Sequence, residues 1–210
     1  MNIEFSAYSL RRKVAREAAL LLYTMQEKEF KQAKERAAKI LGLRIMPTNL
    51  EVAEELDSIA DEYEGPERKE RLIRMRREAL EIMEILKEFN PRLIGSVWRG
   101  TANKNSDIDI VVFSQNEDSV IDVLRGKGFK ITRVKRTSAI KNGSGEALHV
   151  YVSFPSGDEA EVTVKGLEDM HREERCEIYG DQKKGLSLDQ LREVVKKNPL
   201  QRFLPGKRRI

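Results

Sequence analysis

The segment GSVWRGTANKNSDIDIVVF, residues 95–113, decides the fold. It starts as a glycine-serine turn after a short apolar run, continues as a polar loop and ends as an apolar strand. Asp107 and Asp109 lie two residues apart where that strand begins, and strand alternation puts both carboxylates on one face. The apolar residues between and after them face the other way, towards a core: Ile108, Ile110 and Val112.

This arrangement predicts a site for a metal-bound triphosphate. Two neighbouring carboxylates repel each other unless a cation lies between them, and oxygen ligands of this kind suit Mg²⁺ held together with substrate phosphates. Gly95 allows a phosphate to approach the backbone closely, and Ser96 adds a hydroxyl and its own amide to a turn of anion-binding amides. Arg99 is close enough in the sequence to reach the same phosphates with its guanidinium.

The chain before this segment is predicted to be helical. Thr48 and Glu51 form the pattern of a capping box, which predicts a helix start. Pro66 suits the first residue of a further helix, and Asn90-Pro91 ends the helical run. We therefore predict an N-terminal helical region over residues 1–90.

Short apolar runs separated by Gly, Ser and Asn follow Pro91 and predict an α+β fold with a mixed β-sheet. The predicted strands are residues 92–94, 107–113, 129–134, 148–154 and 159–164. A connecting helix is predicted over 117–125 and a flexible loop over 141–145. The core is predicted to span residues 91–166, followed by a helical tail over 167–210.

The joint pattern is more specific than its parts. The segment contains Gly95-Ser96, then Arg99-Gly100, and then an acidic pair at spacing two that opens an apolar strand. In this order of motifs the sequence resembles the DNA polymerase beta-like nucleotidyltransferase superfamily. The resemblance covers residues 92–165 and is closest in layout to archaeal-type CCA-adding enzymes and minimal nucleotidyltransferases. It implies a polymerase beta-like palm as the sheet core, and an enzyme that transfers a nucleoside monophosphate from a nucleoside triphosphate and releases pyrophosphate.

The resemblance also implies a third carboxylate on a later strand. Glu161 and Glu159 share the same strand parity, and Glu161 is favoured because it lies deeper in the apolar run. The family more often has Asp there, and a solvated polar strand face is the plainer interpretation. The implied mechanism has Asp107, Asp109 and Glu161 holding two Mg²⁺ ions for in-line attack on the α-phosphate.

The sequence indicates the transfer reaction more clearly than the molecule that accepts the nucleotide. RNA is the first expectation for the hydroxyl acceptor. Transfer of AMP to a protein, as in minimal nucleotidyltransferases of the toxin–antitoxin type, is the second. A non-catalytic nucleotide- or RNA-binding module is the third, and the intact Asp-x-Asp pair argues against it.

The composition is consistent with these expectations. Charged residues make up 35% of the 210 residues, the formal net charge is +4, and an isoelectric point of about 9.1 permits an anionic partner. The single cysteine, Cys176, fits a reducing cytoplasmic setting, and no apolar run is long enough to predict a membrane span. The sequence leaves the oligomeric state open.

Two further groups of residues are weighed. His149 lies in a predicted apolar strand with no evident partner, and a histidine-based triad is not expected. The third predicted helix has six basic residues, which are predicted to form a charged outer face rather than a nucleic-acid contact. They are Arg68, Lys69, Arg71, Arg74, Arg76 and Arg77.

Overall fold

The computed structural model describes residues 2–137 and 147–205, and it confirms the predicted α+β class. The predicted loop over 141–145 lies outside the described residues. The α-helices are α1 (Asn2–Tyr23), α2 (Phe30–Ile40), α3 (Asn49–Glu64), α4 (Pro66–Ile85), α5 (Gly95–Arg99), α6 (Glu117–Gly126) and α7 (Leu188–Lys197). The strands are β1 (Arg92–Leu93), β2 (Ile108–Phe113), β3 (Lys130–Thr137), β4 (Ala147–Ser153), β5 (Glu159–Lys165) and β6 (Leu186–Ser187). Two short 3₁₀ turns lie at Lys87–Phe89 and Leu167–Asp169.

The chain divides into two compact units. The first unit contains the residues up to Arg68 together with Asn103–Asn105 and Arg175–Asp181, and the second contains the remainder. The domain ranges expected from the sequence, 1–90, 91–166 and 167–210, stay a prediction.

The first unit is built from α1, α2 and α3. Their buried faces are rich in alanine, which lets helices approach closely. Glu55 of α3 is buried and receives hydrogen bonds from Arg12 and Arg16 of α1, so its charge is paired inside the unit. Thr48 and Glu51 form the predicted capping box at the start of α3.

The second unit is built around a six-stranded mixed sheet in the order β3-β4-β5-β2-β1-β6. The pair β2 and β5 is parallel, whereas the other four neighbouring pairs are antiparallel. Alternate residues of β4 and β5 are buried, as is every residue of β2 except Asp109. The helix-facing residues of these strands form one core with the apolar faces of α4, α6 and α7. Asp109 and Glu161 lie on the opposite face, and both are partly exposed.

Arg76 corrects the prediction of an outer basic face on α4. Its side chain is fully buried and donates to the carbonyl oxygens of Val97, Trp98, Pro199 and Gln201 at 2.7–3.1 Å. Burial lowers the pKa of the Arg76 guanidinium to about 10. The guanidinium therefore ties the end of α5 to the tail that follows α7.

Arg68 departs from the same prediction. It is also buried, and it pairs with Asp57 and Asp61 of α3 at 2.6 Å. The basic residues of α4 are thus partly structural rather than uniformly solvated.

Candidate active site

The carboxylate of Asp109 lies directly against the backbone of Gly95. The amide of Ile94 donates to the Asp109 carbonyl at 2.9 Å, which fixes the bend beside β2. Gly95 has φ +70°, and a Cβ built on it would lie 1.9 Å from Asp109 Oδ2. Because no side chain fits there, the position requires glycine on two counts, conformation and space. The predicted glycine-serine bend and the predicted acid are therefore brought together.

The acidic side chains come from two neighbouring strands. Asp109 of β2 and Glu161 of β5 are direct partners in the parallel register. Asp107 immediately precedes β2, and Glu159 begins β5 two residues before Glu161. Strand alternation therefore puts all four carboxylates on one face of the sheet.

The pKa values of the aspartates reflect this crowding of negative charge. Burial raises the pKa of Asp109 to about 7, and the negative charges of Glu161 and Asp107 add to the effect. The pKa of Asp107 is also raised, first by burial and then by Glu159 and Glu161, while Arg133 opposes the change. Raised carboxyl pKa values in a cluster of like charges are typical of functional sites and are relieved by a bound cation.

Glu161 is held by a hydrogen-bonded chain that the sequence did not predict. His149 Nδ1 lies 2.5 Å from Glu161 Oε1, and His149 Nε2 lies 2.8 Å from the Thr137 hydroxyl. Because a carboxylate oxygen accepts, His149 Nδ1 donates to Glu161. The alternation of β4 puts His149 on the same face of the sheet as Glu161. The sequence could have revealed this contact only if the order of β3, β4 and β5 had been known.

The two candidate third acids differ in their partners. Glu161 is bonded to His149 and interacts with the Tyr151 hydroxyl, whose pKa is raised by burial and then by Glu161. Glu159 accepts a hydrogen bond from the Thr132 hydroxyl at 3.0 Å, nearer the end of the sheet. Glu161 is in direct register with Asp109, whereas the parallel ladder ends one residue before it would reach Glu159.

Ser96 and Arg99 lie on α5, a helical turn where the sequence predicted only a bend. Ser96 is partly exposed beside Gly95, as a phosphate ligand requires. Arg99 is buried, its guanidinium lies 4.0 Å from the centre of the Trp98 ring, and it donates to the Phe203 carbonyl at 2.9 Å. The guanidinium is thus engaged with the tail, and the contact of Arg99 with phosphate stays a prediction.

The residues fit Mg²⁺ in ligand type. All candidate ligands are carboxylate oxygens, which Mg²⁺ prefers, and their mutual repulsion would be relieved by a cation. Within residues 2–137 and 147–205, no group of three or more His, Cys, Asp or Glu side chains is already gathered in a geometry that could hold a metal ion. The Glu161 carboxylate is instead directed at His149.

The structure thus presents acids from two adjacent strands beside a glycine bend. A family model described as the nucleotidyltransferase domain matches residues 76–197, which is more than half of the chain. The chain belongs to this nucleotidyltransferase domain family, as the sequence predicted.

Solved structures resemble part of the chain. The structure of Cid1 in complex with the UTP analog UMPNPP is 18% identical, with 48% of this chain and 32% of that chain covered and a TM-score of 0.33. A cytoplasmic RNA terminal U-transferase is 18% identical, with coverage of 47% and 30% and a TM-score of 0.32. The GLD-2/RNP-8 complex is 17% identical, with coverage of 50% and 38% and a TM-score of 0.32. The chain thus spans only about a third of the length of these structures.

No curated protein matches the chain. Among the helices of the described residues, none is both long enough and apolar enough to cross a membrane.

Proposed function

We propose that this nucleotidyltransferase transfers a nucleoside monophosphate from a nucleoside triphosphate to a hydroxyl of RNA, with Mg²⁺ as the required ion. The observation that carries the proposal is the packing of the Asp109 carboxylate against Gly95, in register with Glu161. This contact brings the candidate metal ligands next to the candidate phosphate-binding bend.

In this reaction an acceptor hydroxyl oxygen attacks the α-phosphorus in line. A bond forms between these two atoms, the bond from the α-phosphorus to the bridging oxygen breaks, and pyrophosphate leaves as the hydroxyl proton is released to solvent. Mg²⁺ held by Asp107, Asp109 and Glu161 would neutralise the triphosphate and lower the pKa of the attacking hydroxyl.

Residues of the chain position the phosphates and the Glu161 carboxylate. We assign Gly95 and Ser96 to the phosphates, because both residues are partly exposed beside the Asp109 carboxylate. We assign His149 the role of holding Glu161, since it joins that carboxylate to Thr137. Alignment and charge neutralisation of this kind provide most of the rate enhancement in phosphoryl transfer.

RNA is proposed as the acceptor because the chain has a net positive charge of +4 and a basic strand on the same sheet as the site. We also propose that the layout of the site is like that of archaeal-type CCA-adding enzymes. The proposed location is the cytoplasm. The helical regions predicted at residues 1–90 and 167–210 are where acceptor choice would be set.

The test is to incubate the pure protein with Mg²⁺ and each labelled triphosphate, with and without RNA. Label in RNA is expected, and label in the protein itself would show AMP transfer to protein instead. Asp107→Ala with Asp109→Ala should abolish transfer while the circular dichroism spectrum keeps its native form. A double variant that transfers at the normal rate would refute the assignment, and binding without transfer would leave only a binding module.

A further inference from the structure

Strand β3 is an edge strand with an unusually basic surface. It lies at one end of the sheet, and all but two of its eight residues are exposed. Its exposed basic residues are Lys130, Arg133, Lys135 and Arg136. Arg136 pairs with Glu117 at 2.7 Å, whereas Lys130 and Lys135 form no ion pair with any residue in the described part of the chain.

The register brings this strand into line with the acids. Arg133 is the partner of Tyr151, Tyr151 is the partner of Glu161, and Glu161 is the partner of Asp109. These four residues form one row across four strands on a single face. With strands about 4.8 Å apart, Arg133 lies about 14 Å from Asp109 along the sheet.

Arg133 follows a shift in the pairing of β3 with β4. The register shifts between Ile131 and Arg133, and a shift of this kind redirects the side chains beside it. The Arg133 guanidinium lies 3.8 Å from the centre of the Tyr151 ring. The stacked pair presents a planar cation whose outer face is available on an exposed residue, and a nucleic-acid base stacks well on such a plane.

Charge explains why such a surface is useful here. The four carboxylates would repel the phosphates of an approaching nucleic acid. Lys135 pairs across the ladder with His149, so strand alternation puts its side chain on the acid-bearing face. Positive charge along β3 therefore offsets the repulsion between these carboxylates and the phosphates of a nucleic acid. It does so on the side of the site that lies away from Gly95.

From this row we infer that β3 is the acceptor track: single-stranded RNA lies along it, with phosphates on Lys130 and Lys135 and a base stacked on the Arg133–Tyr151 pair. The inference rests on the proposed function, because it names where the RNA acceptor binds. Lysines on an edge strand can instead serve only to prevent aggregation through strand pairing. The experiments below distinguish that role from RNA binding.

The first experiment uses the full chain and a fluorescent single-stranded RNA oligonucleotide. Lys130→Ala with Lys135→Ala is expected to weaken RNA binding at least tenfold, and to lower the slope of log affinity against log salt by about 1 to 2. The KM for the triphosphate should not change. The matched control is Lys196→Ala with Lys197→Ala, which removes two exposed charges of α7 and should bind RNA normally.

Arg133→Lys tests the stacking separately, because it keeps the charge and removes the plane. We expect it to lose affinity almost as Arg133→Ala does. Affinity equal to that of the native chain would overturn the stacking contact.

The two proposals fail in different ways. If no acceptor is labelled but RNA binding depends on β3, the proposed transfer activity is wrong and the proposed RNA-binding surface is kept. If RNA is labelled and the double lysine variant binds and uses RNA normally, the surface is wrong and the activity stands. Aggregation of that variant, with normal RNA affinity in its monomeric fraction, would likewise overturn the surface.

Discussion

Replacing Asp109 by Asn should stabilise the metal-free protein at alkaline pH. The carboxylate is partly buried against Gly95, and burial together with Glu161 and Asp107 raises its pKa to about 7. An Asp in an unfolded chain has a pKa of about 3.9, and each tenfold change in acidity is worth about 1.4 kcal/mol. The full difference is about 4 kcal/mol, and solvent screening at a partly exposed site reduces it to about 2 to 4 kcal/mol.

The pH dependence has a definite sign. Because the folded-state pKa lies above the unfolded value, Asp109 takes up a proton on folding over the interval between them. Its contribution to stability is fully present below about pH 4 and is lost as the pH rises through about 7. The amide introduced by Asp109→Asn cannot titrate, so the variant and the native chain should be similar near pH 4, and the variant should be more stable by about 2 to 4 kcal/mol near pH 8.

The assay is urea denaturation in the presence of a chelator at both pH values. Asp122→Asn, on the exposed side of α6, is the matched control and should show no such difference. Adding Mg²⁺ should then stabilise the native chain more than the Asp109→Asn variant, because only the native chain keeps the full ligand set. A stability difference that is the same at both pH values, or a variant that is less stable near pH 8, would refute the electrostatic reasoning.

Three further predictions concern the Gly95 bend, the third acid and the buried Arg76. Gly95→Ala should cost about 1 to 3 kcal/mol and lower kcat at least tenfold, because its Cβ would meet the neighbouring carboxylate at 1.9 Å; Gly128→Ala, with a similar φ and open space around it, should leave kcat unchanged. Glu161→Gln should lower kcat about a hundredfold in the transfer assay, and Glu159→Gln less than tenfold, because only Glu161 is in register with the acid of β2; the reverse order would assign the third acid to Glu159. Arg76→Met should destabilise the chain by about 3 to 5 kcal/mol in urea denaturation, since four carbonyl oxygens lose their donor; a change below about 1 kcal/mol would contradict the buried clamp.

Local signals in the sequence predicted local structure well. The capping box at Thr48 and the proline at position 66 mark helix starts in the structure. In the structure, Ser187 and Gln190 form a second capping box at the start of α7. These features depend on residues within one turn of each other, so the sequence contains all the information they need.

Features that depend on distant partners were not predictable. Arg76 is buried because carbonyl oxygens more than a hundred residues away accept from it, as well as those of α5. His149 becomes a partner of Glu161 only when β4 and β5 pair in their observed register. The helix α5 and the strand β6 are too short, at five and two residues, to leave a periodic pattern.

The parallel pairing of β2 with β5 has a consequence for folding. The hairpin of β4 and β5 needs only a short turn, whereas β2 meets β5 across everything that lies between them in the chain. Closing such a long loop costs entropy before any contact rewards it, so non-local pairing is slow. During synthesis, the acids of the two strands cannot meet until β5 has left the ribosome, and acquisition of divalent-ion affinity would mark the moment at which the sheet closes.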